Sequence, residues 1–277
     1  MFTRRVWGLA LGLWSLLALP LSAAIPAGEV WPNPVVAPDA NPAEVAAPRN
    51  EWVTRVQDTL NRTEGKHYDL IFDGDSITDF WQDIKRGKAV WDARYAPLNA
   101  VDFAISADKV EHVLWRLKQG QAKDADPKLV VLMIGTNNTG RDTADQIAAG
   151  IRKLVGVYEQ QCPHARILLL GIFPRGASAT DPARAKIKEI NRQIAALDDG
   201  GKRVTFLDFG DKFLTPDGTL TKEIMPDALH PNDRGYHIWA DAIAPEIEKT
   251  FPGAPKENPP FADGLPAVPA VPVAPKP

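Results

Sequence analysis

Residues 129–134 read Leu, Val, Val, Leu, Met, Ile, an apolar run with no polar alternation. Six residues are too few to cross a bilayer. A strand with one wet face would alternate, so this one is buried on both faces, as in the centre of a parallel sheet covered by helices. Further strand-like runs stand at 70–72, 100–105, 167–170 and 204–207. Between them apolar residues recur at helical spacing: Trp52, Val53, Val56, Leu60; Val110, Val113, Leu114, Leu117; Ile147, Ile151, Leu154, Val155, Tyr158; Ile187, Ile190, Ile194, Leu197; then residues 236–251. Asp108 with Glu111, and Thr143 with Gln146, have the spacing of an N-cap and its N3 partner. Asp181 followed by Pro182 opens another helix with proline at N1. This alternation predicts an α/β fold, a three-layer α/β/α sandwich on a five-stranded parallel sheet.

The ends read differently. Arg4 and Arg5 precede an apolar run from Val6 to Leu21, then Ser22, Ala23 and Ala24. Residues 1–24 are therefore expected to be a cleavable secretory signal, which places the mature chain outside the cell or in a bacterial periplasm with no membrane span left. Residues 25–49 are rich in Pro and Ala and read as an extended linker, and residues 252–277 as a Pro-rich disordered tail. The remaining 50–251 suits one domain. A net charge of −3 without basic blocks argues against nucleic acid as a partner. Cys162 is the single cysteine, so no intrachain disulfide forms.

Chemistry concentrates after the first strand. Phe72, Asp73, Gly74, Asp75, Ser76, Ile77 and Thr78 form a strand end, a turn and a helix start. A serine there sits where open α/β sheets bind ligands, among free N–H groups that favour negative charge. The stretch alone fits a Ser/Asp turn with an N-cap and no chemistry equally well. Two distant stretches add to it: Gly135, Thr136, Asn137, Asn138 after the central strand, and Asp227, Ala228, Leu229, His230, Pro231 before the last helix.

With His112–Leu117 and Phe173, Pro174, Arg175, Gly176 in the same order, this set resembles the GDSL, or SGNH, hydrolase family. It is most similar to the branch holding the catalytic subunits of platelet-activating factor acetylhydrolase and their bacterial relatives. The resemblance covers about residues 52–251 and implies a flavodoxin-like sandwich and a metal-free, cofactor-free serine esterase. It implies Ser76 as nucleophile, His230 as base and Asp227 as its orienter. The implied oxyanion donors are Ser76 N–H, the Asn137 amide and the N–H of Ala107, which stands where the family has glycine. Alanine keeps the N–H and conflicts only with a positive φ. Asp75 and Asn138 are the expected supporting neighbours, and Asp102 stands where close relatives have Asn. His112 reads as structural. Trp81, Trp91 and Tyr95 read as core, with a pocket lining as the alternative.

The implied substrate is a short-chain, especially acetyl, ester, with an acetylated carbohydrate foremost for an exported protein; a homodimer is compatible with all of this. Two rival readings fit the same residues. One is a Mg-dependent phosphatase using Asp73 and Asp75, in which the first, Asp73, attacks phosphorus. The other is a binding module on the same fold without catalysis.

Overall fold

The computed structural model describes residues 31–262. The expected signal at 1–24, residues 25–30 and the tail from 263 onward lie outside the described residues. The strands are β1 Leu70–Gly74, β2 Ala100–Asp102, β3 Leu129–Met133, β4 Arg166–Leu170 and β5 Val204–Leu207, all parallel in the order β2-β1-β3-β4-β5. The helices are α1 Val53–Thr63, α2 Ser76–Asp79, α3 Lys88–Arg94, α4 Val110–Lys118, α5 Ala144–Gln161, α6 Pro182–Ile194 and α7 Asp233–Thr250. None of the described helices is long and apolar enough to cross a membrane.

The unbroken run in β3 is explained by a core on each side. Val130 and Leu132 pack with Ile71, Ile167 and residues of α4, α5 and α6. Leu129, Val131 and Met133 pack on the other face with Phe72, Trp81, Tyr95, Tyr236 and Trp239. Trp81, Trp91 and Tyr95 are thus core residues: Phe72 meets all three rings at 4.8–6.0 Å, and Trp81 meets Tyr236 at 4.5 Å.

Strand order reverses at β1, so the C-terminal ends of β1 and β3 border the crevice where such sheets hold ligands. Gly74 and Met133 are register partners there. A Cβ on Gly74 would lie 2.2 Å from the Met133 carbonyl oxygen, so only glycine lets the chain turn out of the sheet at this point.

Four expectations need correction. β2 ends at Asp102, although Phe103 N–H still donates to Phe72 O at 2.8 Å. The residue before α4 is Lys109, not Asp108, whose carboxylate is taken by Arg116 Nε at 2.8 Å. Residues 40–49 are a packed strap, not part of an extended linker: Ala43 is 0% exposed, Asn41 Nδ2 donates to Gln146 O at 2.9 Å, and Ala47 N–H donates to Glu111 O at 3.1 Å. Gly150 of α5 makes room for it, since a Cβ there would come within 2.7 Å of Ala43 O. Small alanines that suggest a spacer are what this close approach requires. At the other end, residues 252–262 return along α7. Asn258 accepts from Arg94 Nη1 at 2.9 Å, and Phe261 stacks on His237 at 4.3 Å.

Candidate active site

Asp75 ends the turn after β1 and caps α2, its Oδ1 accepting the Ile77 N–H at 3.0 Å. This sets Ser76 as the first helical residue, so its N–H has no partner one turn back. From below, Tyr236 Oη donates to Ile77 O at 2.6 Å and ties the turn to α7. Asp75 is buried, and burial pushes its carboxyl up to about 7 against the opposing Ile77 N–H bond.

Ser76 is 7% exposed, and its Oγ lies 2.8 Å from His230 Nε2. His230 Nδ1 lies 2.6 Å from Asp227 Oδ2. The other Asp227 oxygen accepts the N–H groups of Leu229 at 3.1 Å and His230 at 2.8 Å. Burial pushes the Asp227 carboxyl up, but these N–H groups and the ring outweigh it, leaving the pKa below its ordinary value. One short loop therefore orients its own histidine. It turns through Ala228 at φ 55, pinned by Gly176 N–H on the Ala228 carbonyl at 2.9 Å. Phe80 packs on the His230 ring at 5.1 Å between centroids.

On the opposite side, Asn137 sits in the turn Thr136–Asn138 after β3, with Nδ2 donating to Asp108 O at 2.9 Å. That bond uses one amide hydrogen and leaves the second for a ligand. Arg175 Nη1 holds the turn through Thr136 O at 3.2 Å. Asn138 is fully buried and structural: it accepts from Val110 N–H and donates to Glu111 and Asp142. Ala107 has φ 64, the left-handed region where a Cβ meets a steric cost of roughly 1–2 kcal/mol. Ala107 N–H donates no hydrogen bond among the described residues. A cleft of about 660 Å³ adjoins Asn137 and Asp227, with Thr136, Arg175, Asp181 and Lys186 on its walls.

Other expected roles are resolved by the contacts. His112 Nδ1 accepts the Lys109 N–H at 3.0 Å, and burial pushes its pKa down to about 3, so it is a neutral structural residue. Asp102 accepts Ala104 N–H at 2.9 Å through Oδ1, while Oδ2 is buried without a partner and burial raises its pKa well above the ordinary value. The phosphatase alternative does not fit. Asp73 is 0% exposed, paired with Arg116 at 2.8 Å and bonded by Tyr158, and Asp75 is spent on its cap. Neither carboxylate can reach a phosphorus atom. Sequence reasoning missed the charged supports Arg49, Arg55, Asp79, Arg116 and Arg175. Arginines 116 and 175 stood in motifs already noted, but nothing in the spacing says which carbonyl or carboxylate they meet.

Residues 72–238 match the GDSL-like Lipase/Acylhydrolase family. The chain is 33% identical over 204 residues to platelet-activating factor acetylhydrolase IB subunit alpha1 of Bos taurus, covering 72% of this chain and 85% of that one. The fold is similar to the solved structure of a GDSL-like lipase from Bacteroides thetaiotaomicron, with TM-score 0.56, 20% identity, and coverage of 72% of this chain and 96% of that one. It is also similar to an acetyl-xylooligosaccharide esterase variant from Geobacillus, with TM-score 0.50, 24% identity, and coverage of 64% and 93%.

Proposed function

Because this chain belongs to the GDSL-like lipase/acylhydrolase family and is thereby a carboxylic ester hydrolase, we propose that it is an exported serine esterase removing short acyl groups, acetyl foremost, from a carbohydrate or glycoside. The observation that carries the reading is the continuous relay Ser76 Oγ, His230, Asp227, joined by contacts of 2.8 and 2.6 Å. In this proposal His230 Nε2 takes the Ser76 proton as Oγ attacks the ester carbonyl. Asp227 holds the ring and stabilises its charged form. The oxyanion is met by Ser76 N–H, Ala107 N–H and the free Asn137 amide hydrogen. His230 then protonates the leaving alcohol, and acyl-Ser76 remains. Water, deprotonated by His230, attacks that acyl group, releases the carboxylic acid and restores the serine.

The acetyl preference is supported by the name of the mammalian relative, an acetylhydrolase. The carbohydrate preference is supported by Thr136, Arg175, Asp181 and Lys186 on the cleft walls, which offer partners to a hydroxyl-rich alcohol. The Geobacillus esterase shares the fold, and its named substrate fits the same class. Export is supported by the sequence of residues 1–24. Kinetics on nitrophenyl esters of increasing acyl length and on acetylated xylan test the reading. The acetate ester is expected to give the highest kcat/KM, with acetate released from the xylan. A kcat/KM that climbs with chain length contradicts it. Mass spectrometry of the mature protein is expected to find its N-terminus at or near Ile25; an intact Met1 contradicts export by cleavage.

A further inference from the structure

The loop before α4 holds an alanine in a conformation that suits glycine. Asp108 N–H donates to Ile105 O at 3.1 Å, closing a turn with Ser106 and Ala107 in the middle. Only the third residue has positive φ, the type II pattern that favours Gly or Asn there. Ala107 itself is exposed and packs against nothing that would force this geometry. The restraint lies on its two neighbours. Ser106 donates its N–H to Asp79 Oδ2 at 3.0 Å, and its hydroxyl to the same oxygen. Asp79 is in turn gripped by both terminal nitrogens of Arg55 from α1. On the other flank Arg116 Nε holds Asp108 Oδ2 at 2.8 Å. One guanidinium spans both flanks: Arg49 Nη1 donates to Ser106 O at 2.7 Å and reaches Asp108 Oδ1 at 3.5 Å. Arg49 comes from the end of the packed strap, far from any motif of the site.

We propose that Arg49 and the Arg55–Asp79 pair are positioning residues for ester hydrolysis, which clamp Ser106 and Asp108 so that the alanine between them keeps a left-handed backbone and aims its N–H at the oxyanion. The inference rests on the reading of Ala107 N–H as an oxyanion donor. Without the clamp an alanine relaxes to negative φ and swings the N–H away, whereas a glycine populates positive φ unaided. The clamp is therefore most needed in a chain that lacks the glycine. It acts on charge that develops in the transition state, so its loss appears in kcat and not in substrate binding. Asp108 O also accepts from Asn137, so the same clamp steadies the second donor.

The test is a pair of substitutions in two backgrounds, read on 4-nitrophenyl acetate. Arg49→Gln and Arg55→Gln are each expected to lower kcat by about tenfold with KM within about twofold. Arg49→Lys and Arg55→Lys are expected to recover part of the loss. Made in an Ala107→Gly background, the same Gln substitutions are expected to cost clearly less. The Arg55 side chain is 39% exposed, so Arg55→Gln is the variant read if Arg49→Gln does not fold, with circular dichroism checking the fold of each. Equal losses in the two backgrounds, a loss carried by KM, or no loss at all overturns the clamp while wild-type turnover leaves the esterase reading standing. An inactive, folded wild type overturns both.

Discussion

The two sides of the site are built in opposite ways. The acid–base side is one exposed loop: Asp227, with its side chain 50% exposed, orients His230 three residues on and caps the same loop's N–H groups. The proposed oxyanion side is assembled from five segments, the strap, α1, α2, α4 and the turn after β3, through arginines and carboxylates. Its centre is the Asp73–Arg116–Asp108 cluster, where burial works against the Arg116 charge and the two carboxylates outweigh it. Removing one partner of such a cluster leaves an uncompensated buried charge. A local loop can thus change one residue at a time, whereas the oxyanion side tolerates little change except at its exposed tip, Ala107.

The contrast is broken most severely at the relay itself. Ser76→Ala and His230→Ala are each expected to remove nearly all ester turnover, with the double variant little worse, because they act as a unit. Asp227→Asn is expected to leave more activity than either, since in the proposed mechanism that residue only orients and stabilises. Steady-state kinetics on folded variants decide this; a double variant far slower than both singles would show that the two do not act together.

Next in size comes Asn137→Ala, which in the proposed mechanism removes a donor used only in the transition state. It is expected to lower kcat by about 10²–10³, or roughly 3–4 kcal/mol, with KM little changed. A raised KM with intact kcat would make Asn137 a substrate-binding group instead.

A pH effect separates the buried side from the exposed one. Asp75, with its carboxyl pushed up to about 7 by burial, keeps its proton in the folded state over a range where the unfolded chain has lost it. Stability therefore falls as pH rises from about 4 to about 7 and is level above that. Asp75→Asn keeps the cap and removes this fall, so denaturant unfolding should show the variant gaining on wild type across that window. A constant difference between them at all pH values contradicts the assignment.

The smallest effect is at the two left-handed alanines. Ala107→Gly and Ala228→Gly each relieve a Cβ clash at the cost of unfolded-chain entropy, a net gain of at most about 1 kcal/mol in thermal or denaturant unfolding.

What could be read in advance follows the same division. The sheet was legible because β3 is apolar on both faces, and α5 because Thr143 and Gln146 form the expected cap. The Asp227–His230 pair was legible because both ends of the interaction lie within three residues. The strap was misread because packing of Ala43 depends on a glycine 107 positions away, which composition does not report. Asp108 was misread as a cap because its competing partner, Arg116, reaches it only once α4 has formed and turned. The need for positive φ at Ala107 was open for the same reason: its flanks are held by side chains from four other segments, the strap, α1, α2 and α4, which leave no local mark.

The central claim is that Ser76 is a nucleophile activated by His230. Intact-mass measurement after a fluorophosphonate probe tests it most directly. One adduct per chain is expected, mapped to Ser76, lost in Ser76→Ala and strongly slowed in folded His230→Ala. Labelling that persists in Ser76→Ala, or an unlabelled wild type that still hydrolyses esters, would contradict it.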